Sequence, residues 1–158
     1  MNSSLKFLTI FLLLLLSNCG FKVSKSTIYN DFYVQSIETT NSKKIDYKIR
    51  QAIKNKLPNN KANQKIFLKI NNKQIKSISE KNIKNQITKY EIVLNTKIEI
   101  NFLTDNLEKV IEVSSKGTYS VGNAHKDTKK NQENLEHYLA EKNVDKFFRN
   151  LENIKDDN

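Results

Sequence analysis

The sequence predicts an α+β domain in which two helices pack on one face of a four-stranded, mostly antiparallel sheet, in the order β-α-β-β-β-α. Three observations carry that expectation. Tyr90, Ile92, Leu94, Thr96, Ile98, Ile100 and Phe102 take every second position of one stretch, with mostly polar residues between, the period of a strand with one buried face. Ile45, Ile49, Ala52, Ile53 and Leu57 recur at spacings of three and four, the stripe of an amphipathic helix. A second helical pattern occupies the stretch between Thr128 and Ile154. Helices gathered on one side of a sheet bury both apolar faces in one core.

The elements follow in order. Asp31 to Ile37 alternates as a first strand, with Phe32, Val34 and Ser36 on one face. Thr39 to Ser42 breaks it, and Ser42 has the side chain of a helix N-cap. The helix from Lys43 to Leu57 ends at Pro58-Asn59-Asn60. Lys65 to Ser79 is a second strand region, where Asn71-Asn72 interrupts the apolar pattern as a bulge would. The long strand through Tyr90 and Phe102 comes next, then a turn at Asp105-Asn106, and Val110 to Val121 returns through Ile111, Val113 and Tyr119. In the last helix Leu135, Tyr138 and Leu139 share a face, whereas Val144, Phe147, Phe148, Leu151 and Ile154 centre on a nearly opposite one. The phase slips near Asn143. Either the helix kinks there or its halves bury against different things.

The N-terminus has another character. Met1 to Lys6 is short and polar, Phe7 to Leu16 is an almost unbroken apolar run, and Ser17, Asn18, Cys19 and Gly20 follow. That layout is a secretory signal peptide, and the run is about half the ~20 residues a helix needs to cross a bilayer. Leu16-Ser17-Asn18-Cys19 resembles the lipobox of bacterial lipoproteins, with Asn18 in place of the usual Gly, Ala or Ser. Cys19 is the single cysteine, so no intramolecular disulfide explains it in an exported chain. Lipidation does. The expected layout is a signal peptide over residues 1–18 and one periplasmic domain over 19–158, anchored by acyl chains such as palmitate on Cys19. Each buried methylene contributes ~0.8 kcal/mol, and stable anchoring takes two chains where one is marginal. By resemblance to the lipoprotein sorting rule, Gly20 rather than Asp after the cysteine implies the outer membrane, on its periplasmic face.

The chain carries 27 basic and 17 acidic residues, a net charge of +10. Such an excess points to nucleic acid, a membrane surface or another polyanion. Export removes nucleic acid and leaves anionic phospholipid and the phosphorylated head of lipopolysaccharide. Lys, Asn and Ile also dominate together, as AT-rich codons alone would produce. Both explanations stay open. Lys73, Lys76, Lys81 and Lys84, with Lys69 nearby, cluster in and after the second strand. They read as a surface that meets lipopolysaccharide phosphates, or as lysines guarding a sheet edge.

Catalytic constellations are missing from the sequence. His125 and His137 fall in no metal-ligand spacing. Gly117 and Gly122 have the spacing of a phosphate-binding loop, but Asn123-Ala124 follow where Lys and Ser or Thr are required. Glu133, Glu136, Glu141 and Glu152 read as a solvated helix face with occasional i,i+4 pairing. The expectation is a protein without enzymatic activity, catalytic residues, metal or cofactor.

Cys19-Gly20-Phe21 resembles the start of mature members of the lipopolysaccharide-assembly lipoprotein LptE family. The Lys43–Leu57 helix with Ile49-Arg50, and the ending Leu139-Ala140-Glu141 through Arg149-Asn150-Leu151 to Ile154, are similar to its first and last helices. The low alanine content and phase slip of the last helix depart from that pattern. The resemblance implies a plug inside the outer-membrane β-barrel LptD, a partnership that inserts lipopolysaccharide into the outer leaflet, and lipopolysaccharide binding. The competing expectation is an accessory lipoprotein that binds lipid or protein in another envelope transport or barrel-assembly system.

Overall fold

The computed structural model describes residues 32–40, 43–57, 64–104 and 107–156. The signal segment, Cys19, Ser42, Pro58-Asn59-Asn60 and Asp105-Asn106 lie outside the described residues. The elements are β1 (Phe32–Thr39), α1 (Lys43–Lys56), β2 (Gln64–Lys81), β3 (Ile87–Phe102), β4 (Leu107–Ser120) and α2 (His125–Asp156). The order is the expected β-α-β-β-β-α.

The four strands form one sheet in sequence order. β2, β3 and β4 are an antiparallel meander, while β1 lies parallel to β2, because α1 occupies the connection and returns the chain to the starting end. The period-two residues of β3 face the helices: Ile92, Leu94, Ile98 and Ile100 are fully buried, against Ile66, Leu68 and Ile70 of β2 and Ile111 and Val113 of β4. Ile45, Ile49 and Ile53 of α1 and Leu139, Phe147 and Leu151 of α2 close that core.

Three readings from the sequence change. Asn71-Asn72 is no bulge: Asn71 pairs with Lys97 and Asn72 with Thr96 in unbroken register, and the ladder first shifts between Ile78 and Glu80. Asn72 keeps the inward position of an apolar residue because its polar atoms find buried partners. Its amide donates to Asp46 Oδ1 at 2.8 Å, and its carbonyl oxygen accepts from the Thr96 hydroxyl at 2.8 Å.

The phase slip in the last helix also disappears. The buried positions of α2 are Glu136, Leu139, Ala140, Asn143, Val144, Phe147, Phe148 and Leu151, one stripe at spacings of three and four. Its polar members, Glu136 and Asn143, hid the stripe from an apolar pattern, and Tyr138, which the pattern counted as inward, is exposed. One face packs throughout.

The helices run side by side in the same direction, and three basic residues of α1 meet three acidic residues of α2. Lys44 pairs with Glu133 at 2.8 Å, Lys48 with Glu136 at 3.2 Å, and Lys56 with Asp145. Glu136 is therefore not on a solvated face. It accepts hydrogen bonds from Gln132, Lys48 and Gln74. Burial pushes its carboxyl up, but those bonds and the Lys48 charge outweigh it and hold the group below the usual carboxylate range.

The two glycines with phosphate-loop spacing prove to be packing positions. A Cβ on Gly117 would stand 2.7 Å from Leu135 Cδ1, and one on Gly122 would stand 2.5 Å from Asp127 Cβ. Gly117 is inside β4, so no loop exists there to cradle a phosphate.

Candidate functional site

The meander outruns its helices. From Ser77 to Gln86 every residue is exposed, so the far ends of β2 and β3 project as a two-stranded ribbon. Its turn is fixed locally. Asn82 N donates to Gln86 O at 2.9 Å, and the Asn82 side-chain oxygen accepts from the backbone of Lys84 and Gln86. Asn85 takes a positive φ of 60°, which asparagine tolerates better than most residues. Ile83, fully exposed, stands at the apex between Lys81 and Lys84. Below it Lys89 and Glu80 pair across the ribbon at 2.6 Å, and the hydrogen bond from Lys89 holds the Glu80 carboxyl below its ordinary range.

The four lysines singled out in the sequence divide among three places. Lys81 and Lys84 share the ribbon tip, and the Lys81 ammonium donates to Asn85 Oδ1 at 3.0 Å. Lys73 is exposed on the sheet face opposite the helices, opposite Asn95 in the ladder. Lys76, three residues on, necessarily faces the helix side. Its ammonium sits 4.3 Å from the Tyr90 ring centroid and 5.4 Å from that of Tyr119, and donates to Gln132 Oε1 at 3.1 Å. Tyr90 and Tyr119 are stacked 5.6 Å apart, and the Tyr119 hydroxyl donates to the same Gln132 oxygen at 3.0 Å. Lys76 thus clasps the ribbon base to α2, a role invisible in sequence because its partners come from three distant elements.

On the helix-free face Lys69 and Lys97 lie 3.4 Å and 3.5 Å from the two oxygens of Glu99. The hydrogen bond from Lys69 is the main reason the Glu99 carboxyl lies below its usual range. One carboxylate thus offsets part of the charge of two lysines there. A shallow groove beside it is lined by Lys73, Asn95, Lys97, Glu112 and Ser114. Ile83, which sequence reading passed over, belongs with Lys81 and Lys84. The asparagines on either side of it were the signal for a turn beyond Ser79.

Among the described residues no three His, Cys, Asp or Glu side chains converge as metal ligands, and His137 lies 3.4 Å from Glu141 on the exposed helix surface. Among the same residues no helix is long and apolar enough to cross a membrane.

The sequence matches no protein-family model and no curated protein. The fold is similar to that in the crystal structure of the rare lipoprotein B from Shewanella oneidensis, with a TM-score of 0.56 and 12% identity over 77% of this chain and 97% of that one. Weaker matches are lipoprotein B from Nitrosomonas europaea, TM-score 0.48 and 15% identity over 73% of this chain and 79% of that one, and the minor lipoprotein from Acinetobacter baumannii, TM-score 0.45 and 11% identity over 78% and 95%. What this chain shares with the Shewanella protein is an architecture: a helix-backed open sheet over nearly the whole of that chain.

Proposed function

We propose that the protein is an outer-membrane lipoprotein, anchored through a lipidated Cys19, that assists lipopolysaccharide transport and insertion as the plug partner of an LptD-like β-barrel. The observation that carries the reading is the polarity of the sheet. The chain enters at Phe32, beside the start of β2 at Gln64, and the basic tip with Lys81, Ile83 and Lys84 lies at the other end. The 18 residues of β2 extend ~60 Å at ~3.3 Å per residue. A bilayer with its headgroups measures ~40–45 Å. A domain tethered at one end is thus long enough to bring a cationic tip across a barrel to the opposite leaflet. Lipopolysaccharide phosphates are the polyanion available there, and lysines meet phosphate as point charges.

Affinity purification of the full-length protein from envelopes tests the partnership. Recovery of a large β-barrel in stoichiometric amount is the expected result. Recovery of an inner-membrane transporter or barrel-assembly component instead would favour an accessory lipoprotein of another system. The anchor has its own test. Cys19→Ala should yield an uncleaved or soluble protein, and a variant that stays mature in size and membrane-bound would remove the lipidation claim.

A further inference from the structure

The end of the sheet where the chain enters carries exposed apolar side chains among charged neighbours. Leu103 is 50% exposed, Leu107 39% and Val110 55%, three large aliphatic side chains around the β3–β4 connection. Leu107, opposite Phe102, is on the helix side of the sheet and Val110, opposite Glu99, on the helix-free side, so these side chains flank the end of the sheet from both faces. Leu103 is held in place, its backbone N donating to Lys65 O at 3.0 Å. These residues share the end of the sheet with Phe32: its ring packs edge-on against the buried Phe102 at 6.0 Å, and Phe102 is the ladder partner of Leu107.

We propose that this base, Leu103, Leu107 and Val110, rests on the lipid surface that holds the anchor and dips its side chains below the headgroups. The inference rests on the lipidation of Cys19. Twelve residues separate that cysteine from Phe32, a tether of at most ~40 Å at full stretch. Phe32 lies at the same end of the sheet as Leu107, on the opposite edge strand, while the ribbon tip lies ~60 Å away along β2. Tethering concentrates whatever lies next to the entry point at the bilayer, so weak apolar contacts there become persistent. Lys65 is exposed beside Leu103 and Lys109 is half-buried in the same strand as Leu107; both can meet lipid phosphates while their stems cover apolar surface. The base then sets the orientation of the sheet, tip away from the anchoring leaflet, before any barrel engages it.

The chain contains no tryptophan, so one introduced indole reports its own surroundings. The full-length lipidated protein carrying Leu107→Trp or Val110→Trp is reconstituted on phosphatidylethanolamine–phosphatidylglycerol vesicles with brominated acyl chains, with Ile83→Trp at the tip for comparison. Both base variants should shift to shorter emission wavelength and lose about half or more of their emission, as expected for side chains ~5–10 Å into the headgroup–acyl boundary. The Ile83→Trp protein should emit as in water. Vesicles that float with protein bound while both base tryptophans stay unquenched overturn the proposal and leave the anchor reading standing. Quenching of Ile83→Trp alone overturns it too, because the domain then lies tip-down. Protein that does not float at all removes the anchor, and this inference falls with it.

Discussion

Asn143 and Thr96 face each other across the α2–β3 interface, the amide nitrogen 3.0 Å from the hydroxyl oxygen, both side chains buried. The same amide donates to Leu94 O at 2.9 Å. Through Asn72 the chain of hydrogen bonds continues to Asp46 on α1. A polar thread thus runs through the apolar core and touches both helices and the two central strands.

The thread is not uniform, and substitutions should show it. Asn72→Leu removes a donor from a buried carboxylate, which costs about 2–4 kcal/mol. Asn143→Leu also removes a side-chain oxygen that has no partner, which offsets part of the lost bonds, so its cost should be at least about 1 kcal/mol smaller. Urea unfolding of the two variants checks the order. Equal losses would mean the network acts as one unit.

Glu136 predicts an acid dependence. Its folded-state pKa is lowered, so its contribution to stability is fully present above the unfolded value of ~4.3 and is lost as pH falls through that value toward the lowered one. Thermal unfolding between about pH 6 and pH 3 should show a steeper decline for the parent than for Glu136→Gln. Parallel curves would assign the acid sensitivity to other carboxyl groups.

The lysines should separate into ligand-facing and structural ones. Replacing Lys73, Lys81 and Lys84 together by Gln should weaken lipopolysaccharide binding more than replacing Lys54, Lys126 and Lys130, which removes the same charge from exposed helix positions. Binding by the parent should fall as salt rises, since the screening length is only ~8 Å at 0.15 M. Lys76→Gln should instead destabilise the fold by about 0.5–1 kcal/mol through loss of the contact with Tyr90 and Tyr119. Equal loss of affinity in both triple variants would leave only the overall positive field.

Gly122→Ala should destabilise more than Gly117→Ala. At Gly122 the added methyl meets Asp127 Cβ and, at 3.1 Å, the backbone N of Thr128, whereas at Gly117 it meets the end of the flexible Leu135 side chain. Forcing an atom into a packed junction costs about 1–3 kcal/mol. Calorimetric midpoints of the two variants make the comparison, and a larger shift for Gly117→Ala would mean that Leu135 cannot yield.

How legible this was in sequence varied by element. β3 was plain because every second residue from Ile92 to Phe102 is buried and only Thr96 among them is polar. α1 was plain for the same reason at helical spacing. The interior of α2 was not, because Glu136 and Asn143 occupy core positions that only partners on other elements make tolerable. Asn72 misled in the same way. The lysines could be found by composition, but sorting Lys76 from Lys73 required knowing that the strand runs through both without a break.

The pairing of α1 with α2 joins residues far apart in the chain: Lys44 with Glu133 and Lys56 with Asp145. The meander from β2 to β4, in contrast, is built from neighbours in sequence. Closing a long loop carries an entropic cost that local pairing avoids. The hairpins should therefore assemble first, with the helix pair docking onto a sheet already formed. Weakening Lys48–Glu136 should then speed unfolding while leaving the refolding rate nearly unchanged, so the lifetime of the folded domain is set at the seam between its two helices.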